Sequence, residues 1–206
     1  MDYATLATPE IIEKTIANLQ ERGVDAQMVE SGAAALAKIK ELIPAGASVM
    51  NGASVTLEQI GFIDLLKSGS HGWNNLHAAI VAEKDPAKQT ELRKQALLSE
   101  YYLGSVHALS QTGEFLVASN TGSQLPHVVF SSQNLIFVVG AQKIVPSMSD
   151  MMNRLNDYVI PLEDKHMQDL YGVHTSPSKI VIFNRENKHV STRTVRMLIV
   201  QEKLGF

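Results

Sequence analysis

Two segments hold the side chains best suited to chemistry: Asn51-Gly-Ala-Ser-Val-Thr-Leu-Glu-Gln-Ile-Gly61, and Gly104-Ser-Val-His-Ala-Leu-Ser-Gln-Thr-Gly-Glu114, which runs on to Asn120-Thr-Gly122. Both place glycine, hydroxyl and amide residues at the ends of predicted strands. Open α/β sheets bind their ligands at such carboxyl ends. In the first segment Asn51 and Gly52 tolerate left-handed backbone angles, so the chain can turn tightly. Ser54 and Thr56 can donate to an anion, and the unpaired amides of a following helix attract phosphate or carboxylate. Glu58 falls in the first turn of that helix. The plainer reading of the same residues makes Thr56 an N-cap and Glu58 a dipole-favoured acid.

In the second segment, Ser105 and His107 share one side of a predicted strand, which would set a base beside a hydroxyl. Gly104 permits close backbone approach. Glu114 is a further candidate base or nucleophile. The turn Asn120, Thr121 and Gly122 precedes a predicted short helix and offers a second anion-binding turn. Lys143 follows a buried strand and so stands at a sheet edge, as a clamp for an anion or as an ordinary solvated lysine. The candidate catalytic residues are therefore Glu58, Glu114 and His107. The candidate ligand-binding set is Asn51, Gly52, Ser54, Thr56, Gly104, Ser105, Asn120, Thr121, Gly122 and Lys143.

Stricter motifs are missing. No Gly-Lys-Ser/Thr follows the first segment, so it is not a phosphate-binding P-loop. Gly52-Ala-Ser54-Val-Thr56 has Thr where a nucleophile elbow needs its second glycine. There is no G-x-G-x-x-G, and the seven histidines form no H-x-H or H-E-x-x-H pair. Neither a metal nor a cofactor is expected. With no cysteine, the chain has no disulfide, thiolate metal ligand or cysteine nucleophile. A net charge of −3 with scattered Lys and Arg argues against a nucleic-acid partner. The start lacks a basic, then apolar leader, and the longest apolar run, near residues 135–141, is far short of a membrane span. These features predict a cytoplasmic protein with no membrane contact.

The elements that position these residues follow from periodicity and caps. Thr8-Pro9-Glu10 opens a helix ended by Gly23; a strand at 24–29 follows, then a helix capped by Ser31 and stopped by Pro44. Residues 47–50 read as a buried strand, 56–67 as a helix, and 68–75 as a polar loop. Trp73 in that loop is a lid residue or a core-packing one. Asp85-Pro86 opens a charged helix to about Tyr101, which lies outside or packs on a partner. Strands at 105–110 and 114–119 flank the turn Gln111-Thr-Gly113, and 125–130 forms a short helix. Residues 134–140 form a buried strand. Ser147 with Asp150 starts a helix in which the neighbouring methionines fill the core, and 179–183 and 195–200 complete the strands. The pattern predicts an α/β fold: a mixed, mostly parallel sheet with helices on both faces. It reads as one domain, 1–206, with 1–44 a helical part packed on it.

The chain resembles the lactate-utilization (LUD-domain) family, which contains the small non-oxidase component of the bacterial three-protein lactate-oxidation system. The matching pieces are Ser54-Val-Thr56-Leu-Glu58-Gln-Ile-Gly61, Gly104-Ser105-Val-His-Ala108 with Thr112-Gly113-Glu114, and Asn120-Thr-Gly122. They continue with Val138-Val-Gly140-Ala-Gln-Lys143-Ile-Val145, Arg154, Pro161 and the ending Val195-Arg-Met-Leu-Ile-Val-Gln-Glu-Lys-Leu-Gly205-Phe. The resemblance covers about residue 45 onward and implies a fold similar to the ribose-phosphate isomerase and coenzyme A transferase group. Many relatives carry cysteines where this chain reads Gly172-Val-His-Thr-Ser-Pro-Ser178, so no redox role is expected there. The resemblance implies an accessory or regulatory component of L-lactate oxidation to pyruvate, working beside iron–sulfur proteins and binding a small anionic molecule. The alternative is a stand-alone transferase or isomerase acting on a sugar phosphate or acyl thioester. A binding module that assembles through its charged helix, as a homo-oligomer or on a partner, is the third reading.

Overall fold

The computed structural model describes residues 1–206. In chain order its elements are α1 (Pro9–Glu21), β1 (Val24–Val29), α2 (Gly32–Leu42), β2 (Ser48–Asn51), α3 (Val55–Gln59) and α4 (Phe62–Ser68). Then come β3 (Asn74–Asn75), α5 (Leu76–Ala82), α6 (Pro86–Gln95), β4 (Tyr101–Gly104), β5 (Ala108–Ser110) and β6 (Phe115–Ser119). The chain ends with β7 (Asn134–Gly140), β8 (Ile144–Val145), α7 (Met148–Arg154), α8 (Ile160–Tyr171), β9 (Lys179–Phe183) and β10 (Thr194–Val200).

Six strands form a wholly parallel sheet in the order β1-β10-β7-β4-β2-β3. The fold is α/β with helices on both faces, as the sequence pattern predicts. Its antiparallel part resides elsewhere than expected. The hairpin of β5 and β6 joins β8 and β9 in a separate four-stranded sheet, β8-β5-β6-β9.

Strand alternation explains how the layers hold together. Leu135, Phe137 and Val139 of β7 enter one core with Val195, Met197 and Ile199 of β10. Ile136, Val138, Leu198 and Val200 point to the opposite face and pack beneath α2, α3 and α4. Both sides of the parallel sheet are covered, so its central strands are almost uninterrupted apolar runs. The second sheet repeats the device: Phe115 and Val117 face the parallel sheet, while Leu116 and Ala118 face α7. Truncating a fully buried side chain such as Phe137 to Ala would cost about 3–5 kcal/mol.

Caps agree with their sequence signals. Thr8 Oγ1 accepts from the Ile11 amide, Ser31 from Ala34, and Ser147 forms a reciprocal capping box with Asp150. Between α7 and α8 the helix widens to a π-turn over Leu155–Val159. Pro161 supplies no N–H to the carbonyl four residues earlier, and its ring crowds that position, which accounts for the widening. A second π-turn, His127–Ser131, occupies the expected short helix.

Three expectations change and one open alternative is decided. The predicted helix 56–67 breaks into α3 and α4 at Gly61, which holds φ at +81°. The charged helix ends at Gln95, with one further 3-10 turn, because residues 101–104 form β4 in the middle of the parallel sheet. Trp73 is a core residue: it packs on Phe62 and its indole N–H donates to the Ile43 carbonyl at 3.1 Å. Of the methionines, Met151 is buried but Met148 lies on the surface. Residues of α6 bury nothing, which matches its polar composition.

Candidate functional site

A cleft of about 520 Å³ opens where β2 and β4 end, closed on one side by the chain after β6 and on another by α8. The sequence-predicted residues Asn51, Gly52, Ser54, Thr56, Glu58, Ser105, His107, Asn120, Thr121 and Lys143 all line it. Residues from both hydroxyl-rich segments and from the end of β7 thus meet in one cavity.

Lys143 forms its floor. The side chain is buried, not solvated, and sits on the 3-10 turn that follows β7. Its ammonium donates to Thr56 Oγ1 at 3.0 Å and to Ser105 Oγ at 3.1 Å. No carboxylate pairs with it. Burial, with the Arg154 guanidinium nearby, pushes the amine down to about 7. The turn is held rigid by Gln142, whose side-chain amide donates to the Leu204 carbonyl at 2.8 Å and whose oxygen accepts from the Leu204 amide at 3.3 Å.

The residues after β10 roof the lysine. Thr56 Oγ1 donates to the Leu204 carbonyl at 3.3 Å. Gly205, at φ +64°, lies so close that a Cβ there would fall 2.4 Å from Thr56 Oγ1. Glycine is needed both for the backbone angle and for the space.

Ser105 and His107 belong to the connection at 105–107 and not to a strand, because β4 ends at Gly104 and β5 begins at Ala108. They still reach the cleft. His107 Nδ1 accepts from the Ala118 amide at 3.1 Å, which leaves Nε2 as the protonated nitrogen of the neutral ring. Burial pushes His107 down to about 3, and the positive charges of Lys143 and Arg154 add to the effect. The ring is therefore a neutral donor, too weakly basic to serve as the general base expected of it at neutral pH.

Other expected residues have structural jobs. Ser54, not Thr56, caps α3 by accepting from the Leu57 amide. Since α3 has only five residues, its dipole is weak, and the cationic side chains lining this cleft are Lys143 and Arg93. Glu114 lies outside the cleft. The turn before β6 delivers it to the end of α1, where it accepts from Arg22 Nη2 at 2.5 Å and from Thr112 Oγ1 at 2.5 Å. Burial alone would raise its carboxyl, but the Thr112 and backbone hydrogen bonds and the Arg22 charge hold it below the usual range. Gly104 and Gly122 also miss the cleft surface; Gly122, at φ +84°, packs against the Lys179 stem. Asn120 shapes the rim, with its amide donating to Thr175 Oγ1 at 3.0 Å.

Several cleft residues carry no sequence signal. Tyr102 donates to Gln124 Oε1 at 3.2 Å and stacks on His127, whose pKa falls to about 4 through burial. Burial raises the carboxyl of Glu163, with Glu58 adding to the shift and His166 opposing it. Behind the cleft, Arg154 lies fully buried and donates to the His107 carbonyl. That bond anchors the 105–107 connection and hence Ser105. Asn51 Oδ1 is buried in the cleft wall without a hydrogen-bond partner. The whole can bind a small anion, or present an uncharged amine between two hydroxyls.

A family model described as the LUD domain matches residues 12–200. Among solved structures, this chain is similar to a DUF162 family protein from Deinococcus radiodurans, at 11% identity and a TM-score of 0.55, covering 95% of this chain and 99% of that one. At that identity the likeness speaks for the fold. No curated protein matches the chain in sequence.

Proposed function

The chain belongs to the LUD-domain family, a lactate-utilization-related group, and from that premise we propose that it is an accessory or regulatory component of L-lactate oxidation to pyruvate whose cleft binds a small anionic ligand. The observation that supports this most is Lys143, a buried amine with hydroxyl partners and no carboxylate. A buried ammonium without a counter-ion is costly, and an entering carboxylate would supply that counter-ion. Ser54 and Thr121 at the cleft wall add hydroxyl donors. Without cysteine in this chain, electrons of the oxidation travel on partner proteins, for which iron–sulfur proteins are the proposed class.

A thermal-shift series tests the binding reading. L-lactate, pyruvate, sugar phosphates and acyl-CoA are added separately to the protein at fixed pH. A rise in melting temperature with the small carboxylates is the expected result. No rise with any of them would remove the ligand-binding reading. A rise confined to sugar phosphates or acyl thioesters would favour a stand-alone isomerase or transferase, for which the neighbouring Glu58 and Glu163 carboxyls of the cleft are the relevant acids. For the pathway, a strain lacking the gene should grow poorly on L-lactate as sole carbon source; normal growth would exclude that role.

No helix is long and apolar enough to cross a membrane. The proposed setting is the cytoplasm, with self-assembly read by light scattering.

A further inference from the structure

We infer that Lys143 captures a 2-oxo carboxylate covalently, through a reversible imine between its Nζ and the ligand's carbonyl carbon. The inference rests on the reading of the cleft as a small-anion site and deepens it.

The geometry around Nζ suits a nucleophile better than a structural cation. A lysine that serves stability pairs with a carboxylate or reaches its head into water. Lys143 does neither: it is 3% exposed, and its two hydrogen-bond partners are the neutral hydroxyls of Thr56 and Ser105. The charged group felt most strongly is Arg154, which has the same sign. Nothing nearby rewards the ammonium form, so the free amine, with its lone pair, is readily populated. The turn that carries the lysine is fixed by the two Gln142–Leu204 hydrogen bonds, so the amine is held in place before any ligand arrives.

The two hydroxyls divide the work. Thr56 already gives its proton to the Leu204 carbonyl, so it can only accept from Nζ. Ser105 Oγ accepts from Nζ, and its own proton goes to no protein acceptor. It can therefore relay: it takes a proton from nitrogen as it gives its own to the carbonyl oxygen. In the first step the Nζ lone pair bonds to the carbonyl carbon, the C=O π pair moves onto oxygen, and the relayed proton makes the carbinolamine. In the second, a proton from the water in the cleft reaches that oxygen, the C–O bond breaks, water departs and the nitrogen lone pair completes C=N. Amine, ketone and one proton become a protonated imine and water, with no redox change and no co-reactant. Asn51 Oδ1, the unpartnered acceptor of the same cleft, is available to the carbinolamine hydroxyl.

The chemistry selects a 2-oxo carboxylate over a plain aldehyde or ketone. A protonated imine keeps one positive charge in a buried site that offers it no counter-ion. A carboxylate on the adjacent carbon brings that counter-ion with the ligand. A 2-hydroxy acid has the carboxylate but no ketone carbonyl, and can bind only non-covalently.

Reductive trapping tests this on the full chain. Protein is incubated with pyruvate and cyanoborohydride at pH 7, and labelled peptides are mapped by mass spectrometry. One reduced adduct on Lys143 is expected, saturating with pyruvate and forming well ahead of surface lysines; L-lactate should give none. The Ser105→Ala variant should label about tenfold more slowly or worse. Absence of preferential labelling at Lys143 overturns the imine. The melting temperature separates the two levels. If pyruvate raises it while Lys143 stays unlabelled, the anion site stands and the imine falls; if it moves neither quantity, both fall.

Discussion

Lys143 Nζ and Thr56 Oγ1, 87 positions apart in the chain, meet at 3.0 Å inside the molecule, beneath a roof made by Leu204 and Gly205. The contact joins the end of β7 to the first turn of α3. It makes a buried, unpaired amine the floor of the cleft, and most of what can be tested depends on it.

Replacing Lys143 with Met keeps the length and apolar stem but removes the amine. Two hydrogen bonds of about 1 kcal/mol each disappear, while the cost of burying an ammonium disappears too. Lys143→Met should therefore fold with stability equal to or above that of the parent, and should lose every carboxylate-induced thermal shift. Urea denaturation with and without ligand measures both.

Lys143 also predicts a pH dependence. In the unfolded chain the amine titrates near its ordinary ~10.4, and in the folded protein at about 7. Below pH 7 both states are protonated and the burial penalty, on the order of 5 kcal/mol, is fully present. Between about pH 7 and 10.4 the unfolded state holds the extra proton, so this group makes stability rise with pH. The parent protein should gain stability between pH 7 and 9 relative to Lys143→Met. Equal slopes for the two proteins would contradict a depressed lysine.

The Arg22–Glu114 pair ties α1 to the turn before β6, away from the cleft. Glu114→Gln should destabilise by about 1–2 kcal/mol, because Arg22 loses its charged partner but keeps the Thr112 and Asn184 carbonyls. The Glu114 carboxyl is held low, so its contribution is present above the unfolded carboxylate range and fades as pH falls through the folded value. Carboxylate-induced thermal shifts should remain intact in this variant, which separates a structural acid from a catalytic one.

Gly205→Ala probes the roof. The new methyl would fall 2.4 Å from Thr56 Oγ1 and 3.1 Å from Lys143 Nζ, at a backbone angle that side chains rarely adopt. Thr56 or the Leu204 segment must move. A loss of about 1–3 kcal/mol is expected, together with weakened ligand shifts. Gly46→Ala, at a similar φ of +82° but with open space around it, should lower stability alone and leave the ligand shift unchanged.

Local signals carried much of the architecture. The run Asn134–Gly140 has the β-branched and aromatic content of a strand covered on both faces, and it is one, at the centre of the parallel sheet. Thr8-Pro9 and Ser147 with Asp150 mark helix starts through bonds that span three residues, so the chain announces them wherever it goes. By contrast, β4 is four residues long and follows a helix-like pattern. Its identity comes from pairing with β2 and β7, which no local window contains. The hairpin was legible as a hairpin, but which sheet it joins depends on β8 and β9.

The same division holds for the cleft. By itself the sequence determined that small, hydroxyl-bearing residues stand at strand ends, since glycine and serine act there through backbone angles and short side chains. It also placed Lys143 just beyond a buried strand. Only the tertiary structure decided that this lysine is buried, because Thr56 from one strand end and Leu204 from the end of the chain close over it. It likewise decided that Glu114 belongs to Arg22 while Ser105 belongs to Lys143. A side chain's charge state is set by the dielectric and the partners around it, and those come from residues distant in sequence that folding alone brings together.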